Sequence, residues 1–249
     1  MINRFHRAWQ RRAARWFARR IVYVRPEVPI VSFTFDDFPF SAYSTGGKIL
    51  EEAAQRGTYY VALGLAGSLI ETGRMFSAET VTDLVDRGHE LGCHTYDHCP
   101  AWETPPAIFE ASVERNRRAA RGLLGGHLMT SLSYPISYPR PATKRKMARR
   151  FGSCRGGGQQ HNIGSTDLNY LRSAFIEQWR DTPTRLHELI ERNAREGGWL
   201  IFSTHDVAAH PTDYGCTPQL LSDLVARSIA SGAKVMTVGQ ALAIVSPEC

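Results

Sequence analysis

The sequence Val31-Ser32-Phe33-Thr34-Phe35-Asp36-Asp37 decides the fold of this chain. Its β-branched and aromatic side chains predict a strand, which the following Phe38-Pro39 ends. Successive side chains on a strand point to opposite faces, so Asp36 and Asp37 are expected to diverge at its C-terminal end. The two carboxylates can therefore serve different partners.

Two histidines follow further along the chain, in the segment His94-Thr95-Tyr96-Asp97-His98. Two imidazoles at i, i+4 spacing and one carboxylate make a three-ligand site of the kind that holds a catalytic divalent metal with open positions. Cys93 and Cys99 flank the two histidines, and we interpret them as small packing residues rather than further ligands. The combination indicates a hydrolytic metal centre.

From Ile30 onward, strand and helix patterns alternate, with turn signals between them. Titratable residues fall at the C-terminal ends of the predicted strands, including His205 after the apolar run 199–204. This arrangement is typical of α/β barrels, and a chain of 249 residues suits one such domain. We predict one domain over residues 26–249, preceded by a distinct N-terminal segment, residues 1–25.

That N-terminal segment is strongly basic, with seven arginines and no acid in residues 1–20. Residues 3–20 are predicted to form an amphipathic helix whose apolar residues recur on one face: Phe5, Trp9, Ala13 and Trp16. This composition is typical of a helix lying on an anionic membrane surface. The alternative is a helix whose aromatic side chains pack on the body of the domain.

The charge of the remaining chain excludes a strongly basic binding domain. Without the seven N-terminal arginines, 23 of the 30 basic residues remain against 24 acidic ones, a charge of −1. A nucleic-acid partner is therefore not expected.

Cysteine usage and hydropathy address the compartment. The five cysteines are odd in number and form no CxxC pair, which favours a reducing environment. We find no apolar run of 18 residues and no secretory signal core. We expect a cytoplasmic protein, with residues 3–20 as a contact to the inner face of the membrane.

Taken together, the motifs resemble the polysaccharide deacetylase superfamily, the NodB-homology group also called carbohydrate esterase family 4. The resemblance spans roughly residues 30–240 and rests on Thr34-Phe35-Asp36-Asp37, on His94-Thr95-x-x-His98 with its lead-in Gly88-His89-Glu90-Leu91-Gly92, and on Ser203-Thr204-His205-Asp206. It implies a distorted (β/α) barrel of seven strands. It also implies a divalent metal, most often Zn²⁺ with Co²⁺, Ni²⁺ or Mn²⁺ as alternatives, held by Asp37, His94 and His98.

The same resemblance implies catalytic roles that agree with the chemistry of amide hydrolysis. Such a reaction needs a metal to polarise the carbonyl, a general base beside the attacking water and a general acid for the leaving amine. Asp36 takes the role of the base, and His205 takes the role of the acid.

The third family motif is altered here. Many members carry Arg-x-Pro-Tyr, whereas this chain has Ser133-Tyr134-Pro135-Ile136-Ser137. Tyr134, Pro135 and Ile136 are expected to line the substrate site, with the Ile136 amide serving the oxyanion. The arginine that tunes the catalytic aspartate in relatives is absent from this motif.

Residues further along the chain are candidates to replace that arginine or to add polar groups to the site. Arg172 is the candidate substitute, and a peripheral salt bridge is the alternative for it. Asn162 and Asp167 are candidate polar residues in a loop expected near the cleft.

The expected function is removal of acetyl groups, N-acetyl before O-acetyl, from a sugar or polysaccharide. One alternative is deacylation of a small, non-polymeric or lipid-linked amide. A second alternative, of another class, is a glycan-binding pseudoenzyme, which the altered third motif supports. The expected partners are an acetylated carbohydrate and an anionic membrane surface, and the sequence does not predict an oligomeric state.

Overall fold

The computed structural model describes residues 4–126, 128–136, 138–177 and 182–247, apart from the side chains of Arg4 and Phe5. Its elements, in chain order, are α1 (Arg4–Trp16), β1 (Ile21–Val24), β2 (Ile30–Phe35), a π-helical turn (Ala42–Gly47), α2 (Lys48–Glu52), β3 (Thr58–Val61), a 3₁₀ turn (Leu63–Leu65), β4 (Leu69–Ile70), β5 (Gly73–Arg74), α3 (Ala78–Asp86), β6 (Glu90–Cys93), α4 (Pro106–Leu123), β7 (Ser131–Ser133), α5 (Pro141–Met147), β8 (Ser153–Arg155), β9 (Gly164–Asp167), β10 (Ala174–Phe175), α6 (Pro183–Glu196), β11 (Trp199–Thr204), α7 (Pro218–Ala230), β12 (Lys234–Val235) and α8 (Val238–Val245). Across this part of the chain, no helix is both long and apolar enough to span a bilayer.

The main sheet is parallel and runs in the order β10-β11-β2-β3-β6-β7-β8. It curves into a half-barrel with helices around it, which confirms the predicted seven-stranded, distorted (β/α) barrel. The short strand β12 adds to the start of β2, with Lys234 opposite Ile30. At the β8 edge of the sheet, the Leu171 amide donates to the Cys154 carbonyl at 2.8 Å, so backbone hydrogen bonding continues one residue beyond β8.

Strand β2 lies in the interior, as its apolar run predicts. All six of its residues are buried, and it pairs with β11 along its whole length, from Ile30 opposite Trp199 to Phe35 opposite Thr204. Apolar side chains on both faces are typical of a strand inside a parallel sheet. Phe33 stacks on Phe202 of β11 at 5.3 Å between ring centroids, which fixes the strand whose C-terminal end carries the paired acids.

The N-terminal segment is joined to the barrel rather than separate from it. Strand β1 pairs antiparallel with β9, with Ile21 opposite Asp167. The guanidinium of Arg20 donates to the carbonyls of Phe151 and Gly152 just before β8. The helix ends at Trp16 rather than at residue 20, since the backbone turns left-handed at Ala18, where φ is 51°.

A buried lysine fastens the end of α1 to the barrel. Lys144 of α5 is fully buried, and its Nζ donates to the carbonyls of Ala14 and Phe17 at 2.6 and 3.0 Å. The same Nζ donates to Asp167 Oδ2 on β9 at 2.6 Å. A cation at a helix C-terminus satisfies free carbonyls and complements the helix dipole. This contact orients α1 relative to α5.

Candidate active site

The C-terminal ends of three strands bring the predicted residues together. Asp36 and Asp37 follow β2, His94 follows β6, and His205 follows β11. In a parallel barrel these ends share one face, where side chains from different strands converge. The structure therefore places these four residues at one end of the sheet.

Asp37, His94 and His98 form a compact group of possible metal ligands. One ligand atom from each lies within 4.8 Å of the others. Asp37 Oδ1 is 2.9 Å from His98 Nε2 and 3.5 Å from His94 Nε2. This oxygen is buried and accepts no well-aligned hydrogen bond from the described residues, so it fits a cation better than a proton donor. Two imidazoles and a carboxylate suit Zn²⁺ and neighbouring divalent ions.

The orientation of His94 is fixed from outside the group. Its Nδ1 donates to the carbonyl of Ser133 at 2.9 Å, which leaves Nε2 free to face Asp37. Burial lowers the pKa of His94 to about 4, because its effect is larger than the raising effect of the Asp36 and Asp37 carboxylates. The ring is therefore neutral at pH 7, which is the form that binds a metal.

Strained backbone is concentrated in the site motifs. Positive φ angles occur at five non-glycine residues there: Asp37 (61°), Phe38 (66°), Thr95 (60°), His98 (50°) and Ile136 (62°). Such conformations cost energy in L-residues and persist where the surrounding structure enforces them. His94 and His98 are consequently not on a helix. A turn at the end of β6, in which Thr95 Oγ1 accepts from the Cys99 amide at 2.9 Å, sets their spacing.

Asp36 is held by a buried arginine. The Arg155 Nη2 donates to Asp36 Oδ1, and Ser203 Oγ donates to Asp36 Oδ2 at 3.4 Å. Arg155 is 2% exposed and also donates to the hydroxyls of Ser133, Ser173 and Ser203 at 2.5, 2.9 and 3.2 Å. The guanidinium therefore bridges β7, β8, β11 and the carboxylate.

Charge outweighs burial in setting the state of both acids. Burial alone raises the pKa of Asp36, but Arg155, with smaller contributions from His94 and His205, brings it below its ordinary value of 3.8. Burial also raises the pKa of Asp37, but the close His98 ring, together with His205 and His94, lowers it strongly overall. The pKa of His98 is raised above 6.5, because the Asp37 carboxylate outweighs the lowering effect of burial. Both acids are ionised at neutral pH.

His205 lies beside the group of possible metal ligands. Its Nδ1 donates to the Tyr214 carbonyl at 3.2 Å, and its Nε2 lies 3.9 Å from Asp37 Oδ2. The loop that carries Tyr214 is closed by Asp206, whose carboxylate accepts from the amide and hydroxyl of Thr212 at 2.8 and 2.5 Å. The loop thus fixes the ring so that Nε2 points into the cleft.

The third motif follows β7, next to the Ser133 carbonyl that binds His94. Tyr134 and Pro135 are buried, whereas Ile136 is 73% exposed at the surface. The Pro135 carbonyl accepts from the Ala101 amide at 3.2 Å, which ties the motif to the loop after His98. Ser137 lies outside the described residues, and the oxyanion role of the Ile136 amide stays a prediction.

The structure does not bring Asn162, Asp167 and Arg172 to the site. Asn162 donates to the carbonyl of Trp199, at the start of β11 and hence at the end of the sheet opposite to the acids. Arg172 donates to Gln160 Oε1 at 2.6 Å, and Asp167 binds Lys144. The hypothesis that Arg172 replaces the missing arginine is therefore wrong. Arg172 bonds to Asn162, which lies near the start of β11, at the end of the sheet away from Asp36.

Two residues of the site, Arg155 and Thr72, are not predicted from the sequence. Arg155 ends β8, so the same strand-end position that indicated the acids and His205 also marks it. Thr72, in the turn between β4 and β5, donates from Oγ1 to Asp37 Oδ2 at 3.5 Å. In that turn, Glu71 also accepts from the Tyr214 hydroxyl at 3.4 Å, so the hairpin forms one wall of the cleft. The sequence around Thr72 carries no signal beyond a glycine-containing loop.

Comparison with known proteins agrees with this geometry. The family model described as polysaccharide deacetylase matches residues 24–153. No curated protein matches the chain.

Several solved structures share the fold. A chitin deacetylase from the fungal pathogen Colletotrichum lindemuthianum is 20% identical, with a TM-score of 0.59 over 90% of this chain and 92% of that one. A family 4 acetyl xylan esterase from Clostridium thermocellum, in complex with a cobalt ion, is 18% identical, with a TM-score of 0.56 over 85% and 89%. A family 4 pseudoenzyme from Bacillus anthracis is 15% identical, with a TM-score of 0.59 over 88% and 68%. At these identities the likeness concerns the fold.

Proposed function

The chain belongs to the polysaccharide deacetylase family, and from this premise we propose that it is a metal-dependent hydrolase that removes acetyl groups, N-acetyl foremost, from a sugar or polysaccharide. The observation that carries the proposal is the convergence of a ligand group, a buried carboxylate and a fixed imidazole in one cleft. Family membership supports deacetylation of carbohydrates, and the geometry supports the metal and the residue roles.

Asp37, His94 and His98 would hold the divalent metal, with Zn²⁺ expected first and Co²⁺, Ni²⁺ or Mn²⁺ as alternatives. When bound, the metal supplies a Lewis acid that polarises the acyl carbonyl and lowers the pKa of a water molecule. The protein supplies a neutral His94 imidazole at neutral pH, because burial keeps that ring unprotonated.

Asp36 is proposed as the general base that accepts the proton of the attacking water. Its carboxylate is ionised because of Arg155, and the paired guanidinium holds it beside the ligand group. A base must lie within hydrogen-bond reach of the proton that it accepts. Arg155 is therefore expected to raise the rate in two ways, because it keeps Asp36 charged and also holds the carboxylate in position.

His205 is proposed as the general acid on the opposite side. Because Nδ1 is bound to the Tyr214 carbonyl, Nε2 is the atom that would donate a proton to the leaving amine. The Ile136 amide, at the rim with Tyr134 and Pro135, is proposed to stabilise the oxyanion.

Two alternative functions make different predictions. A deacylase of a small or lipid-linked amide would use the same residues on another substrate. A glycan-binding pseudoenzyme would lack turnover, and the Bacillus anthracis protein, described as a pseudoenzyme, has the same fold. The presence of all five residues in one cleft favours an enzyme: Asp36, Asp37, His94, His98 and His205.

We propose a cytoplasmic location for the protein, because its five cysteines are odd in number and form no CxxC pair.

The test measures acetate release from N-acetylated chitooligosaccharides and from O-acetylated xylan by the full chain loaded with Zn²⁺. We expect turnover, at least a hundredfold loss in Asp36→Asn and in Asp37→Ala, and normal activity in the surface variant His187→Gln. Full activity in the two aspartate variants would contradict the mechanism. Absence of turnover, with one bound metal and measurable oligosaccharide binding, would identify a pseudoenzyme instead.

A further inference from the structure

Helix α1 points its largest apolar side chains into solvent. Trp9 is 55% exposed and Trp16 is 69% exposed, whereas Ala13 and Ala14 are buried against the body together with Gln10. A helix that served only to pack on the barrel would bury tryptophans first, because they carry the largest apolar area. The observed orientation argues against packing as the purpose of these aromatic residues.

The exposure does not result from a loose attachment. Lys144 holds the end of α1 by two carbonyls, Asn169 donates to the Ala18 carbonyl at 2.8 Å, and β1 pairs with β9 directly afterwards. The tryptophans are therefore presented outward by a fixed helix.

A groove runs between α1 and α5. Its volume is about 600 Å³, and aromatic and basic side chains line it together: Trp9, Phe17, Trp102, Arg140 and Arg145. Trp102 contacts α1 itself, with its ring edge-on to His6 at 6.2 Å between centroids. The exposed tryptophans of α1 and the adjacent groove, which is apolar inside and has arginines at its rim, together form one surface. We call this surface the α1–α5 face.

The α1 side of this face is basic. Residues 1–20 contain no acid, and Arg7, Arg11, Arg12 and Arg15 are exposed on α1, with Arg15 also lining a small pocket beside β9. Arginines beside exposed tryptophans are the pattern of helices that lie in the headgroup region of an anionic bilayer. Each basic residue near such a surface strengthens binding roughly fivefold.

We infer that the α1–α5 face docks on the surface of a bilayer that contains anionic lipids. Trp9, Trp16 and Phe17 enter the headgroup region, and the arginines contact lipid phosphates. The occupant is an anionic lipid surface rather than a soluble glycan, because Trp16 and the outer arginines lie outside the groove, where only an extended surface reaches them.

The face also adjoins the mouth of the barrel. Trp102 follows His98 in the same loop, and this loop is bound to the Pro135 carbonyl at the rim of the cleft. Docking would therefore present the cleft to molecules held at the membrane. The docking itself does not depend on the proposed hydrolysis, so an Asp36→Asn variant should bind the same vesicles.

The experiment measures co-sedimentation of the full chain with sucrose-loaded vesicles of phosphatidylcholine, with or without phosphatidylglycerol. We expect at least tenfold stronger binding to the anionic vesicles, with affinity falling as salt increases. Equal or absent binding to the two vesicle types would overturn the inference.

Paired variants locate the surface. Trp9→Ser with Trp16→Ser, and Arg11→Gln with Arg15→Gln, should each lower binding to anionic vesicles roughly tenfold or more. The matched controls are Ile244→Ser, an exposed apolar residue on α8, and Arg195→Gln with Arg227→Gln on α6 and α7, which should bind as the wild type does. Thermal melting checks that all variants are folded.

A different occupant would give a different result. If the tryptophan variants bound vesicles normally but raised KM for soluble acetylated oligosaccharides, the groove would be a glycan subsite and the inference would be wrong.

Discussion

The Arg155 guanidinium, at the end of β8, donates to the carboxylate of Asp36, at the end of β2. Both side chains are buried, and the hydroxyls of Ser133, Ser173 and Ser203 satisfy the remaining donors at Nη1 and Nη2 of the arginine. Hydrogen bonds to the outer nitrogens of the guanidinium offset part of the desolvation that burying an ion pair costs. The pair therefore keeps Asp36 charged and oriented in a place where burial alone would favour its protonated form.

Removing the arginine should move the pH profile of the enzyme. In Arg155→Met, burial is no longer opposed by the guanidinium, so the pKa of Asp36 rises. A base must be deprotonated to act, and the acidic limb of the kcat/KM profile should therefore shift to higher pH, with a loss on the order of 10²-fold at pH 6. Arg155→Lys, which keeps the charge, should shift the limb less.

The same variant has a cost in stability that must be measured separately. Leaving Asp36 as an unpaired buried charge is expected to lower the free energy of unfolding by about 3–5 kcal/mol. If Arg155→Met lost stability but kept the acidic limb of the wild type, the arginine would be structural only, and its role in positioning the base would be refuted.

The position of Arg155 in the fold shows what sequence patterns can and cannot predict. Asp36, Asp37, His94 and His205 were predictable because each directly follows a strand of recognisable apolar pattern. Arg155 occupies the same kind of position, but its partner is 119 residues away, and strand order in the barrel is needed to make them neighbours.

The N-terminal region was less predictable for a related reason. Strand β9 (Gly164–Asp167) is polar and half-exposed, and the bond that joins it to the Arg20 amide just before β1 spans 147 residues. Strand propensity depends on such neighbours, so the sequence around Asn162 and Asp167 predicts a loop instead. Asn162 and Asp167 are expected near the cleft because of that predicted loop, and Arg172 is expected there as the substitute for the missing arginine. In the structure Asn162 and Arg172 bond to each other away from the cleft, and Asp167 binds Lys144 and the Arg20 amide.

Metal removal and return should control both activity and stability. Dialysis against a chelator is expected to abolish acetate release, and Zn²⁺ or Co²⁺ should restore it. A free metal concentration 100 times the Kd should also raise the free energy of unfolding by about 2.7 kcal/mol, measured by urea denaturation. His98→Ala should lose this gain, whereas Asp36→Asn should keep it. A stabilisation that survived in His98→Ala would place the metal elsewhere.

His89 should make the fold sensitive to acid. Its Nδ1 accepts from the Gly57 amide at 3.0 Å and its Nε2 donates to Glu51 Oε1 at 2.7 Å, so the ring is neutral. Burial lowers the pKa of His89, and the opposing Glu51 only partly compensates, leaving it below 6.5. The unfolded chain therefore takes up a proton near pH 6.5 while the folded chain does not, and stability is lost as the pH falls below that value.

The measurement is the urea unfolding free energy at pH 7.5 and pH 5.5 for the wild type and for His89→Gln. One such proton accounts for at most about 1.4 kcal/mol per pH unit. The variant should be less stable at pH 7.5 but lose less on acidification, with His94 contributing the same slope to both proteins. An identical pH slope in the two proteins would show that His89 titrates normally.

Lys144 should determine whether α1 stays on the barrel. Its ammonium group is fully buried and is shared by two α1 carbonyls and Asp167. Lys144→Met removes the cation and leaves the Asp167 carboxylate with backbone amide donors but no positive partner, so we expect a loss of about 3–5 kcal/mol in the free energy of unfolding. The neighbouring Lys146, whose side chain is 40% exposed in its pair with Glu110, provides the control, and Lys146→Met should cost less than about 1 kcal/mol.

Limited trypsin digestion distinguishes release of α1 from general loss of stability. The arginines of residues 4–20 should be cut first in Lys144→Met, before any site in the barrel, because both the carbonyl contacts and the anchor of β9 are weakened together. In Lys146→Met the digestion pattern should match that of the wild type. Equal stability and equal digestion in the two lysine variants would mean that β1 and Arg20 hold the segment without the buried cation.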